Sequence, residues 1–177
     1  MTFSHSVRYA ILDLDSTLIY SRGAEIGKPF IEDERNFYVK PLSQKVIFQT
    51  TIRKHVSKFL NDLEKHGYRI IVWSAGVPEY VKDIISVVFC NRHIDYLLTK
   101  SNLIEDLKDL RVIKKFIPEF DITQARLIDD NPDHSKGQER YFVLVDPFIV
   151  AGQIPTTDED DDLLKTLIDR INGSYGE

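Results

Sequence analysis

The chain has 177 residues, 42% of them apolar and 29% charged, with a formal net charge of −5. That balance suits one globular domain spanning residues 1–177 and excludes a disordered chain; no apolar run approaches the roughly 18 residues that a membrane span needs, and the acidic surplus argues against direct nucleic-acid binding. Cys90 is the single cysteine, so no disulfide forms within the chain, and the polar stretch from Met1 to Arg8 has no apolar signal core; the expected home is intracellular, cytoplasmic or nuclear.

Tyr9 to Asp13 (YAILD) is a short apolar run ending in carboxylates, the pattern of a buried strand. Asn36 to Lys40 and Gln44 to Thr50 read as a hairpin, a small flap that either packs on itself or shapes a substrate groove. Ile52, Val56, Phe59, Leu60 and Leu63 fall at helical spacing, with Thr50 or Thr51 as cap and Gly67 after the end. Arg69 to Trp73 predicts a second buried strand, and Val77 to Phe89 a second helix with Pro78 in its first turn. Tyr96 to Leu98 predicts a short strand. Ile104 to Phe116 predicts a helix, ended by Pro118 and Asp121-Ile122-Thr123. Ala125 to Ile128 predicts a strand that again runs into carboxylates, and Tyr141 to Val145 another. Asp158 to Ile171 closes the chain as a helix, its acidic start (DEDDD) read as a solvated helix start that complements the dipole.

Strands alternating with helices imply an α/β fold, a mostly parallel sheet covered on both faces. Such sheets bind ligands at the carboxyl ends of their strands. The polar residues that follow YAIL, RIIVW and ARLI therefore converge on one edge: Asp13, Asp15, Ser74, Asp129 and Asp130.

Those residue types suit phosphoryl transfer. In Asp13-Leu14-Asp15-Ser16-Thr17 one carboxylate can attack phosphorus and the other can move a proton, and the reaction needs in-line positioning and charge neutralisation above all. A phosphate dianion repels a bare carboxylate, so a cation must sit between them, and Mg²⁺ suits an oxygen-lined site. Ser74, at a strand end before a small-residue turn, can donate to a phosphate oxygen. Asp129 and Asp130 are adjacent like charges that a divalent cation would reconcile, whereas Asn131 and Asp133, flanking Pro132, suit turn capping. Lys108, Lys100, Lys114 and Lys115 are all candidates for a phosphate contact, and composition does not choose among them.

Taken in order, these four segments resemble the haloacid dehalogenase-like phosphatases (DxDx[TV], a Ser or Thr after a strand, a Lys, an acidic pair). Within them the chain is similar to the FCP/SCP group, the NLI-interacting-factor-like phosphatases, from Tyr9 to about Ile171. Asp13 to Leu18 matches the group's DLDxTL, Trp73 to Gly76 its xTAS stretch, and Lys108 to Leu110 followed by LIDDNP its KDL and acidic pair; this alignment selects Lys108. Arg53 and His55 resemble the segment before the group's first core helix, and Asp146-Pro147-Phe148 its ending. Ser16 stands where Glu is usual, Gly76 where Ser is common, and the stretch between Cys90 and Lys108 is short. The resemblance implies a Rossmann-like parallel sheet with a small flap and no large cap, Asp13 as nucleophile and Asp15 as general acid and base. It implies Mg²⁺ held by Asp13, the Asp15 carbonyl and Asp129 with Asp130 orienting them, and Ser74, Ala75 and Lys108 on the phosphate with Thr17 supporting the loop. It implies a phosphoprotein or phosphopeptide substrate, the RNA polymerase II C-terminal domain being one that the group takes. The alternatives are a small-molecule phosphatase of the same fold and a binding module like the mitochondrial import receptor Tim50.

Overall fold

In a computed structural model, residues 6–24, 32–42, 45–150 and 161–173 are described. Five parallel strands form the main sheet: β1 (Arg8–Leu12), β5 (Tyr68–Trp73), β6 (Tyr96–Leu98), β7 (Ala125–Asp129) and β8 (Phe142–Leu144), in the order β6-β5-β1-β7-β8. A second, antiparallel sheet of β2 (Ile19–Gly23), β3 (Asn36–Val39) and β4 (Phe48–Ile52) has the order β2-β4-β3. The helices are α1 (Val56–Lys65), α2 (Pro78–Val88) and α3 (Leu163–Gly173).

The two-residue period of a strand divides the core. Ala10, Leu12, Ile70, Val72 and Ile128 face one way and join Phe59, Leu60 and Leu63 of α1, Val81 and Ile84 of α2, and Leu164, Leu167 and Ile171 of α3. Tyr9, Ile11, Ile71, Trp73 and Leu127 face the other way and meet Leu110, Val112, Ile113, Ile117 and Phe120. Each fully buried Phe or Leu contributes roughly 1.5–3 kcal/mol, so β1, covered on both faces, is a firm base for the loop that follows it. Among the described residues no helix is long and apolar enough to cross a membrane.

Three expectations need correction. First, Ile104 to Phe116 is not an α-helix. Ile104 and Leu107 exchange backbone hydrogen bonds of 3.0 and 2.8 Å across Glu105 and Asp106, whose φ angles of 50° and 62° make a tight left-handed turn. Only Leu110–Lys115 coils, as a 3₁₀ helix whose start Asp109 caps by accepting from Arg111 N–H at 3.0 Å. Second, Thr50 and Thr51 do not cap α1. They pair inside β4, the central strand of the flap sheet, and α1 starts only after His55, itself at φ 63°. The flap thus gains β2 as a third strand, which the hairpin reading lacked; Gln44 lies outside the described residues. Third, the acidic run before α3 is not simply solvated. Residues 158–160 lie outside the described set, but the Asp161 carboxylate is buried against the buried guanidinium of Arg53, while Asp162 lies at the surface.

Candidate active site

The loop after β1 wraps around one carbonyl. Thr17, Leu18 and Ile19 all donate their N–H groups to Leu14 O (3.2, 2.8 and 3.0 Å), and Ser16, in the left-handed region at φ 62°, donates to Ile19 O at 2.7 Å. Asp13 N–H extends the β1–β7 ladder to Ile128 O (3.0 Å), which fixes where its carboxylate projects. The far side is gripped by Arg53. Its guanidinium donates to Thr17 O (3.2 Å) and Asp146 O (2.9 Å), takes both Asp161 oxygens (2.7 and 3.2 Å), and lies 5.5 Å from the centre of the Phe148 ring. A bidentate pair in this water-poor position is geometrically specific, and removing one partner would leave a buried charge behind.

Lys108 is 1% exposed. Because its segment is extended rather than helical, the side chain runs inward, and Nζ donates to Asp13 Oδ1 and, at 2.6 Å, to Asp129 Oδ2. Its backbone is clamped from behind. Lys108 N–H donates to His134 Nδ1 (3.3 Å), and the Gln138 amide donates to both Lys108 O and His134 O (2.6 Å each). Asp129 Oδ1 accepts from Asn131 N–H at 2.8 Å, and Asn131 in turn caps Pro132–Ser135 by accepting from Asp133 N–H at 3.0 Å. Thr17 Oγ1 donates to Asp130 Oδ1 at 3.3 Å. Asp13, Asp129 and Asp130 each offer an oxygen, and these oxygens lie within 4.8 Å of one another.

This gathering of carboxylates shifts their titration. Burial pushes the Asp13 carboxyl up to about 6 despite the ammonium of Lys108, with Asp129 adding to the rise. Burial raises Asp129 and Asp130 as well. Burial pulls Lys108 down, but Asp13 and Asp129 outweigh it and hold the ammonium charged.

Asp15 points elsewhere. Its Oδ1 accepts from the Tyr80 hydroxyl at 2.6 Å, and its Oδ2 is 3.5 Å from Ser74 Oγ, the outer limit of a hydrogen bond. Ser74 is fully buried and accepts from Gly76 N–H at 2.9 Å, while Ala75 beside it is exposed at the rim. The structure thus gathers Asp13, Thr17, Lys108, Asp129 and Asp130 on one side, and Asp15 with Ser74 and Ala75 on the other. Tyr80 and the Arg53–Asp161 pair escaped sequence reasoning. Tyr80 reads as an ordinary core ring of α2, and the pair joins residues too far apart for any spacing to flag.

The sequence profile of the NLI interacting factor-like phosphatases matches residues 9–176. The chain belongs to that family. It is 23% identical over 175 residues to the CTD phosphatase-like protein 355R of Invertebrate iridescent virus 3, covering 88% of this chain and 90% of the viral one. Its fold is similar to that of Fcp1, an essential RNA polymerase II CTD phosphatase (TM-score 0.63, 17% identity, 97% of this chain). It is similar also to a fission yeast Fcp1 variant bound to beryllium fluoride (TM-score 0.63, 16% identity, 96% of this chain). The chain spans about half the length of these solved structures, 51% of each. The family is therefore that of the NLI interacting factor-like phosphatases, and the fold, a parallel α/β sheet with a small antiparallel flap, is similar to that of Fcp1.

Proposed function

We propose that the chain is a Mg²⁺-dependent phosphatase that removes phosphate from serine or threonine in proteins through a phosphorylated Asp13. The observation that carries this reading is the buried Asp13 carboxylate at the end of β1, held by Lys108 Nζ beside Asp129 and Asp130. In the first step an Asp13 oxygen attacks phosphorus, the bond from phosphorus to the serine or threonine oxygen breaks, and Asp15 gives that oxygen a proton. In the second, Asp15 takes a proton from water, the water oxygen attacks phosphorus, and the bond to Asp13 breaks to release inorganic phosphate. Lys108, Ser74 and Ala75 receive the phosphoryl oxygens, and Thr17 steadies the loop. Positive charge fixed beside the transferring group is where such sites gain most.

The residues fit Mg²⁺. The donors are all oxygen, three carboxylate oxygens lie within 4.8 Å of one another, and one ammonium offsets Asp13 and Asp129 together. Asp13, Asp129 and the Asp15 carbonyl would hold the ion, with Asp130 orienting them. When bound, the ion draws charge from the transferring phosphoryl group.

The flap supports the protein substrate class. Among the described residues it is three short strands, with no separate cap to enclose a metabolite, so binding energy must come from contacts along a longer substrate. Phe37 and Phe48 pack against the core, which leaves Tyr20 and Tyr38, both partly exposed, to meet a peptide. The polymerase tail named for the Fcp1 structures is one candidate peptide.

Hydrolysis of p-nitrophenyl phosphate should require Mg²⁺, vanish with EDTA, and be inhibited by Ca²⁺, whose looser coordination disturbs in-line attack. Activity in metal-free buffer would refute the metal assignment. By kcat/KM, phosphoserine peptides should be better substrates than sugar phosphates. The reverse preference would make this a small-molecule phosphatase, and peptide binding without turnover would make it a binding module.

A further inference from the structure

Resting on that reaction, we infer that Tyr80 is a positioning residue for Asp15, and that Ser21 and Thr50 tie its hydroxyl to the flap. Tyr80 is 7% exposed, and its hydroxyl lies 2.6 Å from Asp15 Oδ1 and 2.7 Å from Ser21 Oγ. Ser21 Oγ is in turn 2.7 Å from Thr50 Oγ1, and the two residues face each other in the β2–β4 register. One phenolic proton cannot serve two acceptors, and Asp15 Oδ1 accepts it whether the carboxyl is ionised or carries its acid proton on Oδ2. The directions follow: Thr50 donates to Ser21, Ser21 donates to Tyr80, and Tyr80 donates to Asp15.

The ring is held as firmly as the hydroxyl. It packs against Phe48 at 5.2 Å between centroids, tilted by 60°. On the other side Gly76 makes room for it: a Cβ there would lie 2.9 Å from Tyr80 Cδ1 and 3.1 Å from Ser74 Oγ. Gly76 thus lets the tyrosine lie tightly against the Asp15 side of the site. Proton transfer demands a carboxyl group aimed within hydrogen-bond reach of the leaving oxygen. Among the described residues Asp15 has no lysine or backbone donor of the kind that fixes Asp13 and Asp129, and Tyr80 gives it its one short hydrogen bond.

A leaving-group comparison separates positioning from packing. A serine alkoxide needs its proton as the bond to phosphorus breaks, whereas p-nitrophenolate departs as a stable anion. With a covalent intermediate, kcat/KM reports the steps up to departure of that group and is blind to the later attack of water. The experiment measures kcat/KM of the full chain with Mg²⁺ on a phosphoserine peptide and on p-nitrophenyl phosphate, for the wild type, Tyr80→Phe and Ser21→Ala. Tyr80→Phe keeps the ring and its contact with Phe48. It should lower kcat/KM on the peptide about tenfold or more while changing the aryl ester less than about threefold, and Ser21→Ala should act in the same direction more weakly. Equal losses on both esters, or no loss on either, would overturn the inference and reduce Tyr80 to a core ring. If Tyr80→Phe does not fold, as judged by thermal melting, Ser21→Ala decides by the same ratio. A folded wild-type protein inactive on both esters would overturn the proposed function itself and this inference with it, whereas an active wild type with an unselective variant overturns only the positioning role.

Discussion

Asp13 and Asp15 are separated by one residue but belong to differently built halves of the site. The Asp13 half is ionic. Its parts come from the ends of β1 and β7 and from the extended Lys108 segment, all resting on the parallel sheet, and its dominant interactions are those of one ammonium with two buried carboxylates. The Asp15 half is neutral in its partners. Its partners are hydroxyl groups, Tyr80 from α2 and Ser21 and Thr50 from the flap, with Ser74 at the limit of contact. An attacking group needs fixed charge about the transferring phosphate, and a proton-transfer group needs aim without a permanent counter-ion that would hold it ionised. On the proposed mechanism, the two halves meet these two demands.

The sharpest way to break this contrast is at Asp13. Asp13→Asn keeps the size and cannot attack, so turnover should fall roughly 10⁴-fold or more while the fold survives. Steady-state assay beside circular dichroism checks it, and appreciable turnover by the folded variant would remove Asp13 from its role. Lys108→Ala should come next, with a loss of about 10²–10³-fold in kcat. Lys114→Ala and Lys115→Ala, both at exposed positions, should stay close to wild type. Lys108→Ala should also lose about 3–5 kcal/mol of stability, because Asp13 and Asp129 would be left buried and unpaired; urea unfolding measures this. A critical Lys114 or Lys115 would show that the ionic half is misassigned.

The same division explains what could be read from the amino-acid order. Asp13 and Asp129 each end an apolar run, and a carboxylate at the end of a buried strand stands out wherever its partners lie. The sheet was legible for that reason, since YAIL, RIIVW and ARLI are short, continuous and flanked by polar residues. Lys108 stood out only through the family pattern. Its local apolar spacing suggests a helix, and the left-handed Glu105-Asp106 turn that makes the segment extended has no Gly or Asn to announce it. The neutral half was hidden altogether. Ser21 and Thr50 are common strand residues, Tyr80 sits where a helix wants an apolar ring, and their meeting depends on the flap register. Arg53 and Asp161 are 108 residues apart, so their pairing is purely tertiary.

The smallest effect concerns how the ionic half is supported from behind. His134 is 6% exposed, and its Nδ1 accepts from Lys108 N–H, which requires that nitrogen to be unprotonated. Burial and the nearby Lys108 charge lower its pKa from 6.5 to about 4, with Asp133 opposing weakly. A group depressed in the folded state favours folding most when it is neutral in both states. The His134 contribution is therefore fully present above about pH 6.5 and is lost as pH falls from 6.5 towards 4. Asp13 works against it in the same window. Its folded pKa is raised to about 6 from 3.8, so its contribution is present below 3.8 and lost as pH rises through 6. The wild-type profile alone mixes the two, and the comparison with His134→Asn isolates one of them, since an amide oxygen can accept from Lys108 N–H without taking a proton. Urea unfolding in EDTA at steps between pH 7 and pH 4 should show the wild type losing ground to the variant by up to about 3 kcal/mol, given roughly 1.4 kcal/mol per pKa unit. A constant difference across that range would mean that His134 titrates alike in the folded and unfolded chain, and that Gln138 alone secures the Lys108 backbone.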